Sequence, residues 1–292
     1  MTDTPWLPVT YALLSALGFA LGALLSKQGL RYTGSIAGTL VSIGASAACY
    51  WLAAPFVLSW ADWQWAAVGV FATIGCFRPI VSANLATAGH HRLGPTVSST
   101  VASVSPLFAV LGGVGVLGER LTPPVALGTL AIVAGVIVLS WRPGGTGTRW
   151  LQWALLLPLG AALLRSAAHV MAKGALSLVA SPLLGGLVGY TVSFALGLAL
   201  FLARPPAGRR RVPRRAVQWF SAAGICNGAG ILFLYTALAH GTVVLVIPVT
   251  SAAPLFTLVL SRLFFHVEAI NRRTLAGVLL IVPGVVAISL LH

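Results

Sequence analysis

Residues 103–140 read SVSPLFAVLGGVGVLGERLTPPVALGTLAIVAGVIVLS, and residues 251–289 read SAAPLFTLVLSRLFFHVEAINRRTLAGVLLIVPGVVAIS. Both stretches open on Ser-x-x-Pro-Leu-Phe, place a glutamate after an apolar run, and carry two spaced glycines in a second apolar run. The matching pairs are Ser103 and Ser251, Pro106 and Pro254, Glu119 and Glu268, Gly128 and Gly277, and Gly135 and Gly284. Similarity between the halves of a chain is the signature of many transporter folds. The pattern therefore indicates an internal duplication.

The duplication extends toward the start of each half. LLSKQGL around Lys27 matches VMAKGAL around Lys173. Because the lysine, the Ser-x-x-Pro motif, the glutamate and the paired glycines keep one order in both halves, shared apolar composition does not account for them. The predicted units are a first repeat over residues 1–141, a linker over 142–149 and a second repeat over 150–292.

The composition excludes a soluble globule. Hydrophobic residues make up 58% of the 292 positions and charged residues 8%, whereas about a quarter of a soluble domain is charged. Charged and turn-forming positions separate ten apolar segments, each near the roughly 20 residues that a membrane-spanning helix needs. The segments are 6–30, 35–58, 63–88, 94–117, 122–141, 150–176, 182–203, 216–239, 242–265 and 273–291.

These segments are about twice as long as the strands of a membrane barrel and do not alternate in polarity. We therefore predict an all-α, polytopic membrane protein with ten transmembrane helices. Each repeat then holds five helices. Because five is an odd number, the second repeat must lie upside down relative to the first.

The block from Pro106 through GERLTPP to Gly135, repeated from Pro254 to Gly284, resembles the EamA domain. The two copies cover nearly the whole chain, which is similar to ten-helix members of the drug/metabolite transporter superfamily. Such relatives export amino acids, drugs, sugars, nucleotide-sugars or sugar phosphates. The resemblance therefore implies a membrane transporter and leaves its solute open.

The positive charges fall mostly on one side of the predicted bundle. The chain has 18 Lys plus Arg against 4 Asp plus Glu. The arginines in loops after odd-numbered spans are Arg31, Arg92, Arg142, Arg149, Arg204, Arg209, Arg210, Arg211, Arg214, Arg215, Arg272 and Arg273, and the opposite side holds Arg120 with Asp3, Asp62 and Glu119. Arginine-rich short loops stay in the cytoplasm. We therefore predict periplasmic termini and a multi-pass protein of the plasma (inner) membrane, although many relatives keep both termini in the cytoplasm.

Two arginines are predicted near the middle of the membrane. Arg78 lies fifteen residues after Trp63, and Arg165 lies fifteen residues after Trp150. A lipid-facing arginine at that depth costs roughly 2.5–3.5 kcal/mol, and no Asp or Glu falls within the ten segments. We therefore expect both arginines to face an internal cavity that favours solutes bearing a carboxylate or a phosphate.

The sixth span carries a stripe of basic residues. Arg165, His169 and Lys173 follow one another at i, i+4 and i+8, which places them on one helix face. His169 alone is more typical of packing and Lys173 of a helix-end anchor, but the three together favour a polar pathway. Lys27 and Lys173 are thus predicted as cavity or helix-end cations. His169 is the group best placed for proton coupling, and exchange or facilitated movement is equally compatible with the sequence.

Prolines and isolated polar residues complete the predicted site. A proline inside a helix frees the carbonyl four residues back, so we predict hinges at Pro79, Pro106 and Pro254. Ser103 and Ser251 precede two of these prolines, and their hydroxyls bond either to a solute or, as we expect, to their own backbone. The further candidate cavity residues are Asn84, Asn227 and Tyr235.

Catalytic and cofactor motifs are absent from the sequence: there is no HExxH, Walker or GxGxxG pattern. We expect no cofactor, metal or nucleic-acid partner. We predict a secondary transporter, an exporter of small polar metabolites such as amino acids or organic acids, working in the lipid bilayer as a monomer or homodimer. The alternative is a membrane enzyme or flippase acting on an anionic lipid headgroup. A hydrolase pairing a serine with His169 or His240 also stays open.

The charge distribution yields a test of orientation. A reporter that is active only in the cytoplasm, fused after His292, should give no signal, because the predicted topology places the C-terminus in the periplasm. The same reporter fused within the loop between Arg204 and Arg215 should be active. A signal from the C-terminal fusion would reverse the predicted orientation.

Overall fold

The computed structural model describes residues 6–78, 80–93, 98, 101–140, 152–203, 212–265 and 272–291. Within these ranges the regular elements are helices and there is no strand, so the all-α prediction is confirmed. The α-helices are α1 (Leu7–Gly29), α2 (Ser35–Val57), α3 (Trp65–Phe77), α4 (Ile80–Leu93), α5 (Ser105–Leu117), α6 (Pro123–Ser140), α7 (Leu156–Leu178), α8 (Pro182–Leu202), α9 (Arg214–His240), α10 (Val243–Thr250), α11 (Ala253–Phe265) and α12 (Arg272–Leu291).

The predicted membrane spans correspond to these helices. Six stretches of the described chain are long and apolar enough to cross a membrane, and they comprise α1, α2, α7, α8, α9 and the α10–α11 pair. Shorter apolar helices, α3, α5, α6 and α12, account for the other segments. Three of the predicted spans are interrupted, and the interruptions lie where prolines occur in the sequence.

The third predicted span, 63–88, is two helices instead of one. α3 ends at Phe77, Arg78 is extended with φ −125° and ψ 129°, and α4 continues to Leu93. A proline ring excludes the residue before it from the helical region. The helix therefore stops at Arg78, where we had predicted a kink within a continuous helix. Pro79 itself lies outside the described residues.

Both Ser-x-x-Pro motifs also interrupt a span. Ser103 lies in a turn that precedes α5, and Ser251 lies in a turn between α10 and α11. Pro106 and Pro254 each take the second position of the following helix, where the missing N–H removes no helical hydrogen bond. The predicted hinges at these two prolines coincide with breaks in the helix, and their motion stays a prediction.

The two repeats meet at a symmetric crossing of their last helices. A Cβ atom added to Gly128 of α6 would lie 2.8 Å from the carbonyl oxygen of Gly284 in α12, and one added to Gly135 would lie 2.8 Å from that of Gly277. Gly128 and Gly277 are repeat equivalents, as are Gly135 and Gly284. Each copy therefore contacts the other through the same pair of positions, as in a two-fold interface, and the helices run antiparallel as inverted repeats require.

The crossing predicts opposite effects for two glycine substitutions. Gly128→Ala should lower the melting temperature in detergent, because the added methyl group meets the backbone of Gly284. Gly69→Ala in α3, where nothing lies within 4 Å of the added atom, should leave stability unchanged or raise it by up to about 1 kcal/mol. Equal melting temperatures for the two variants would contradict the close crossing.

Candidate functional site

One cavity of about 370 Å³ lies between α1, α2, α3, α8 and α9. Its volume falls within the range of small-molecule sites, roughly 300–1,000 Å³. The lining combines serine and threonine hydroxyls from α2 with aromatic and aliphatic side chains from α1, α8 and α9. The cavity is therefore suited to a small solute with both polar and apolar parts.

The cavity opens at one end of the bundle. Leu30 and Ser35, on either side of the α1–α2 turn, line it and are exposed. At the other end it stops at Gly185 and Tyr235, which are buried. Phe220, in the first part of α9, packs against the α1–α2 region and so places the start of α9 at the open end.

A stripe of hydroxyl groups runs along α2 from the mouth inward. Ser35, Thr39, Ser42 and Ser46 all line the cavity, and their spacing puts them on one helix face. Ser46 donates to the carbonyl oxygen of Gly224, 2.7 Å away. These residues were not among the predicted site residues, although four hydroxyl residues at helical spacing in an apolar span indicate a polar helix face.

Aromatic residues enclose the inner end. Tyr50, one turn beyond Ser46, stacks on Tyr190 with ring centroids 5.6 Å apart and donates to the carbonyl oxygen of Gly228 at 2.8 Å. Tyr235 packs against Phe71 with centroids 5.8 Å apart. Tyr190 and Tyr235 line the cavity, and their packing against Tyr50 and Phe71 makes this part of the wall rigid.

Arg78 enters the cavity at the α3–α4 break. Its Nη1 atom lies 3.0 Å from Nε2 of His169, which is buried on α7. Because a guanidinium group only donates, Nε2 must accept, so the histidine ring is neutral with its proton on Nδ1. His169 thus hydrogen-bonds to the guanidinium, and Arg78 is the residue that brings a positive charge to the cavity wall.

Ser193 holds the backbone at the same break. Its hydroxyl, fully buried on α8, lies 2.7 Å from the carbonyl oxygens of both Gly75 and Arg78. The loss of helical hydrogen bonds near the proline leaves such carbonyls in need of donors. The rule that a proline frees the carbonyl four residues back predicts a free carbonyl at Gly75. It does not predict the partner, because Ser193 lies far away in the sequence.

Three of the predicted site residues line the cavity: Arg78, Asn227 and Tyr235. Asn227 fits because Gly22 of α1 faces it, and a side chain on Gly22 would occupy the space of the amide. Gly22, and Gly18 one turn before it, thus allow α1 to pack closely on α9.

Other predicted site residues lie elsewhere. Arg165 and His169 are not among the residues lining the cavity, although the Arg165 charge is close enough to interact with that of Arg78. Ser251 donates to its own helix at the carbonyl of Ile247, 2.8 Å away, as expected for backbone satisfaction. Ser103 lies in the turn before α5.

The remaining predicted residues divide by position. Lys173 donates to backbone carbonyls at the end of α9, and Lys27 is exposed in the last turn of α1. Asn84 belongs to α4, but its side chain lies outside the described residues, as does Pro79. Among the residues that line the cavity in the described chain, Arg78 is the one charged group. The described residues contain no cluster of three His, Cys, Asp or Glu suited to a metal.

The chain matches the model of the EamA-like transporter family twice, over residues 6–141 and 152–290. No curated protein matches it. Among solved structures 29 chains are similar, and one crystal structure of a protein superposes with a TM-score of 0.81 at 21% sequence identity, covering 97% of this chain and 96% of the other. That structural likeness shows the fold.

The Ser193 contacts predict a specific loss of stability. Ser193→Ala should lower the free energy of unfolding by about 1–3 kcal/mol, since it removes the single hydroxyl hydrogen that the carbonyls of Gly75 and Arg78 share. Ser289→Ala is the matched control, because the buried Ser289 hydroxyl bonds only to Val285 of its own helix, and its loss should be near neutral. Thermal unfolding in detergent compares the two, and equal losses would contradict the role of Ser193.

Proposed function

The chain belongs to the EamA-like transporter family of the drug/metabolite transporter superfamily, and on this basis we propose that it is a secondary transporter that exports small polar metabolites. The cargo class is proposed to be carboxylate- or phosphate-bearing solutes such as amino acids or organic acids. Transport proceeds by alternating access, with the two inverted repeats opening the cavity first to one side of the membrane and then to the other.

The observation that supports this cargo class is the environment of Arg78. Its guanidinium faces the cavity, and no carboxylate side chain is among the described residues that line it. A cation held in a membrane interior without a counter-charge is costly, whereas a bound carboxylate or phosphate supplies a charge-assisted, bidentate partner. A cationic drug would instead add a second positive charge beside Arg78, so this class of cargo is disfavoured.

The rest of the cavity favours a cargo with an apolar part. Phe19 of α1 and Ile231 of α9 line the same cavity as the hydroxyl stripe of α2, and so does Ile43 of α2 itself. A solute that bonds to Arg78 through its anionic group can place its apolar part against these side chains. Because the described lining contains one cation, one negative charge on the cargo is enough to balance its charge.

The open end of the cavity is compatible with the proposed export. Arg31 follows α1, and Arg214 and Arg215 begin α9, so the mouth lies on the arginine-rich side. Under the positive-inside rule this side is cytoplasmic. A cavity open to the cytoplasm is the state in which an exporter takes up its cargo.

The proposal is tested by flux into and out of proteoliposomes made from pure protein. The panel contains amino acids, monocarboxylates, sugar phosphates, uncharged sugars and quaternary amines. Carboxylate- or phosphate-bearing solutes should move faster than in protein-free vesicles, and Arg78→Ala should reduce their flux by at least about tenfold, as expected for loss of a charged hydrogen bond. Arg165→Ala should cost less, because Arg165 does not line the cavity.

Two further variants sharpen the result. Arg78→Lys keeps the charge but loses the planar fork, so it should retain intermediate flux, and Arg31→Gln removes an exposed arginine outside the site and should be silent. If anionic solutes move no faster than in empty vesicles, or if Arg78→Ala transports normally, the proposal is wrong. Chemical conversion or flipping of an anionic lipid in the same vesicles would favour the alternative class, a membrane enzyme or flippase.

A further inference from the structure

Two charged side chains contact the α9–α10 turn, at the end of the cavity opposite its mouth. Lys173 of α7 donates to the carbonyl oxygens of Leu238 at 2.7 Å and Gly241 at 2.9 Å, at the C-terminal end of α9. Glu119 accepts from the backbone N–H groups of Val243 at 2.8 Å and Val244 at 2.9 Å, at the N-terminal end of α10. The two side chains together hold the α9–α10 turn from both sides.

Each charge matches the helix end that it contacts. The C-terminal end of a helix is partly negative and its N-terminal end partly positive, so a lysine at the end of α9 and a glutamate at the start of α10 are both stabilising. Both also satisfy backbone groups that a helix terminus leaves without partners. Leu238 lies one turn beyond Tyr235, which ends the cavity, so these contacts lie directly behind the closed end.

The backbone before Glu119 has a conformation that allows this contact. Gly118 ends α5 in the left-handed conformation, with φ 68°, and the N–H of Glu119 then donates to the carbonyl oxygen of Gly113 at 3.0 Å. Gly113 has no side chain where the Glu119 carboxylate lies, and a Cβ atom there would be 2.7 Å from Oε2. Glu119 belongs to the first repeat and its partners belong to the second, so the contact joins the two halves.

At the open end of the cavity, the lysine that is the repeat equivalent of Lys173 has a different environment. Lys27 matches Lys173 in the repeat alignment and lies between Ser26 and Leu30, which line the cavity near its mouth. Lys27 is exposed, whereas Lys173 is partly buried against α9. The repeat equivalent of the α9 end is the end of α4 near Leu93. The two lysines therefore differ in the way that two ends of an alternating-access protein should differ.

We propose that Glu119 and Lys173 form a latch that keeps this end closed while the other is open, and that Lys27 binds the end of α4 when the protein switches. The proposal rests on the proposed alternating-access function. Release of Glu119 from Val243 and Val244 opens the closed end, and closure of the α1–α2 mouth engages Lys27. A variant that weakens the latch should therefore move the population toward the state with a closed mouth.

Single cysteines at the two ends report this population without any cargo. In a chain with Cys49, Cys76 and Cys226 replaced by alanine, Ser35→Cys marks the mouth and Val243→Cys marks the buried closed end. An impermeant maleimide is applied from each side of proteoliposomes, and the labelling rates are measured. Val243→Cys retains the backbone N–H that Glu119 contacts. Because no solute is required, failure of the cargo assignment does not affect this measurement.

Glu119→Gln should raise the labelling rate of Val243→Cys about tenfold and lower that of Ser35→Cys, since it removes a charge-assisted hydrogen bond from one state only. Lys173→Met should act in the same direction. Arg120→Gln, which removes the neighbouring exposed charge, is the matched control and should change neither rate. Adding Lys27→Met to Glu119→Gln should restore labelling of Ser35→Cys.

Three outcomes would overturn the proposal. Unchanged labelling at both ends in Glu119→Gln would show that the contact does not control opening. Faster labelling of Val243→Cys with unchanged labelling of Ser35→Cys would show local loosening without a switch of state. A fall in the labelling of Ser35→Cys that is the same with and without Lys27→Met would remove the role of Lys27. If the latch behaves as proposed but no solute is transported, the error lies in the proposed function.

Discussion

A lipid bilayer supplies no water to the backbone, so every N–H and C=O group within the membrane must find a partner in the protein. This requirement explains why side chains hydrogen-bond to the backbone at places where helices break or end. At the α3–α4 break the carbonyls of Gly75 and Arg78 share the Ser193 hydroxyl. At the α9–α10 turn the unpartnered helix ends are met by Lys173 and Glu119. The break within the third span and the turn between α9 and α10 thus each coincide with a contact between distant parts of the chain.

The same constraint accounts for the arrangement of charge. Arg78 donates a hydrogen bond to a neutral acceptor, His169, and it also lines the cavity. A carboxylate in place of His169 would neutralise the arginine permanently and remove its attraction for an anion. A histidine accepts one hydrogen bond and fixes the guanidinium while leaving its charge uncompensated. The site is therefore stable enough to persist when empty and still attractive to a negatively charged solute.

Much of the architecture is readable from the sequence because it is periodic or repeated. The prolines indicate where the helices are irregular, and the duplication and the helical class follow from local patterns. The rotation of each helix does not, because spans that are apolar on all sides give no preferred face. Arg165 was predicted to face a cavity because of its predicted depth and because it shares a helix face with His169 and Lys173, and it is not among the residues that line this cavity. Ser193, whose partners are more than a hundred residues away, gave no signal.

The crossing of α6 and α12 bears on how such a protein can arise. Gly128 contacts Gly284 and Gly135 contacts Gly277, so one surface binds an inverted copy of itself. A gene encoding a single five-helix unit with that surface would yield a protein able to pair with its own copies inserted in the opposite direction. Fusion of two such genes would then fix the pair in one chain. Once joined, each half is free to diverge, as Arg78 shows by having no counterpart in the second half.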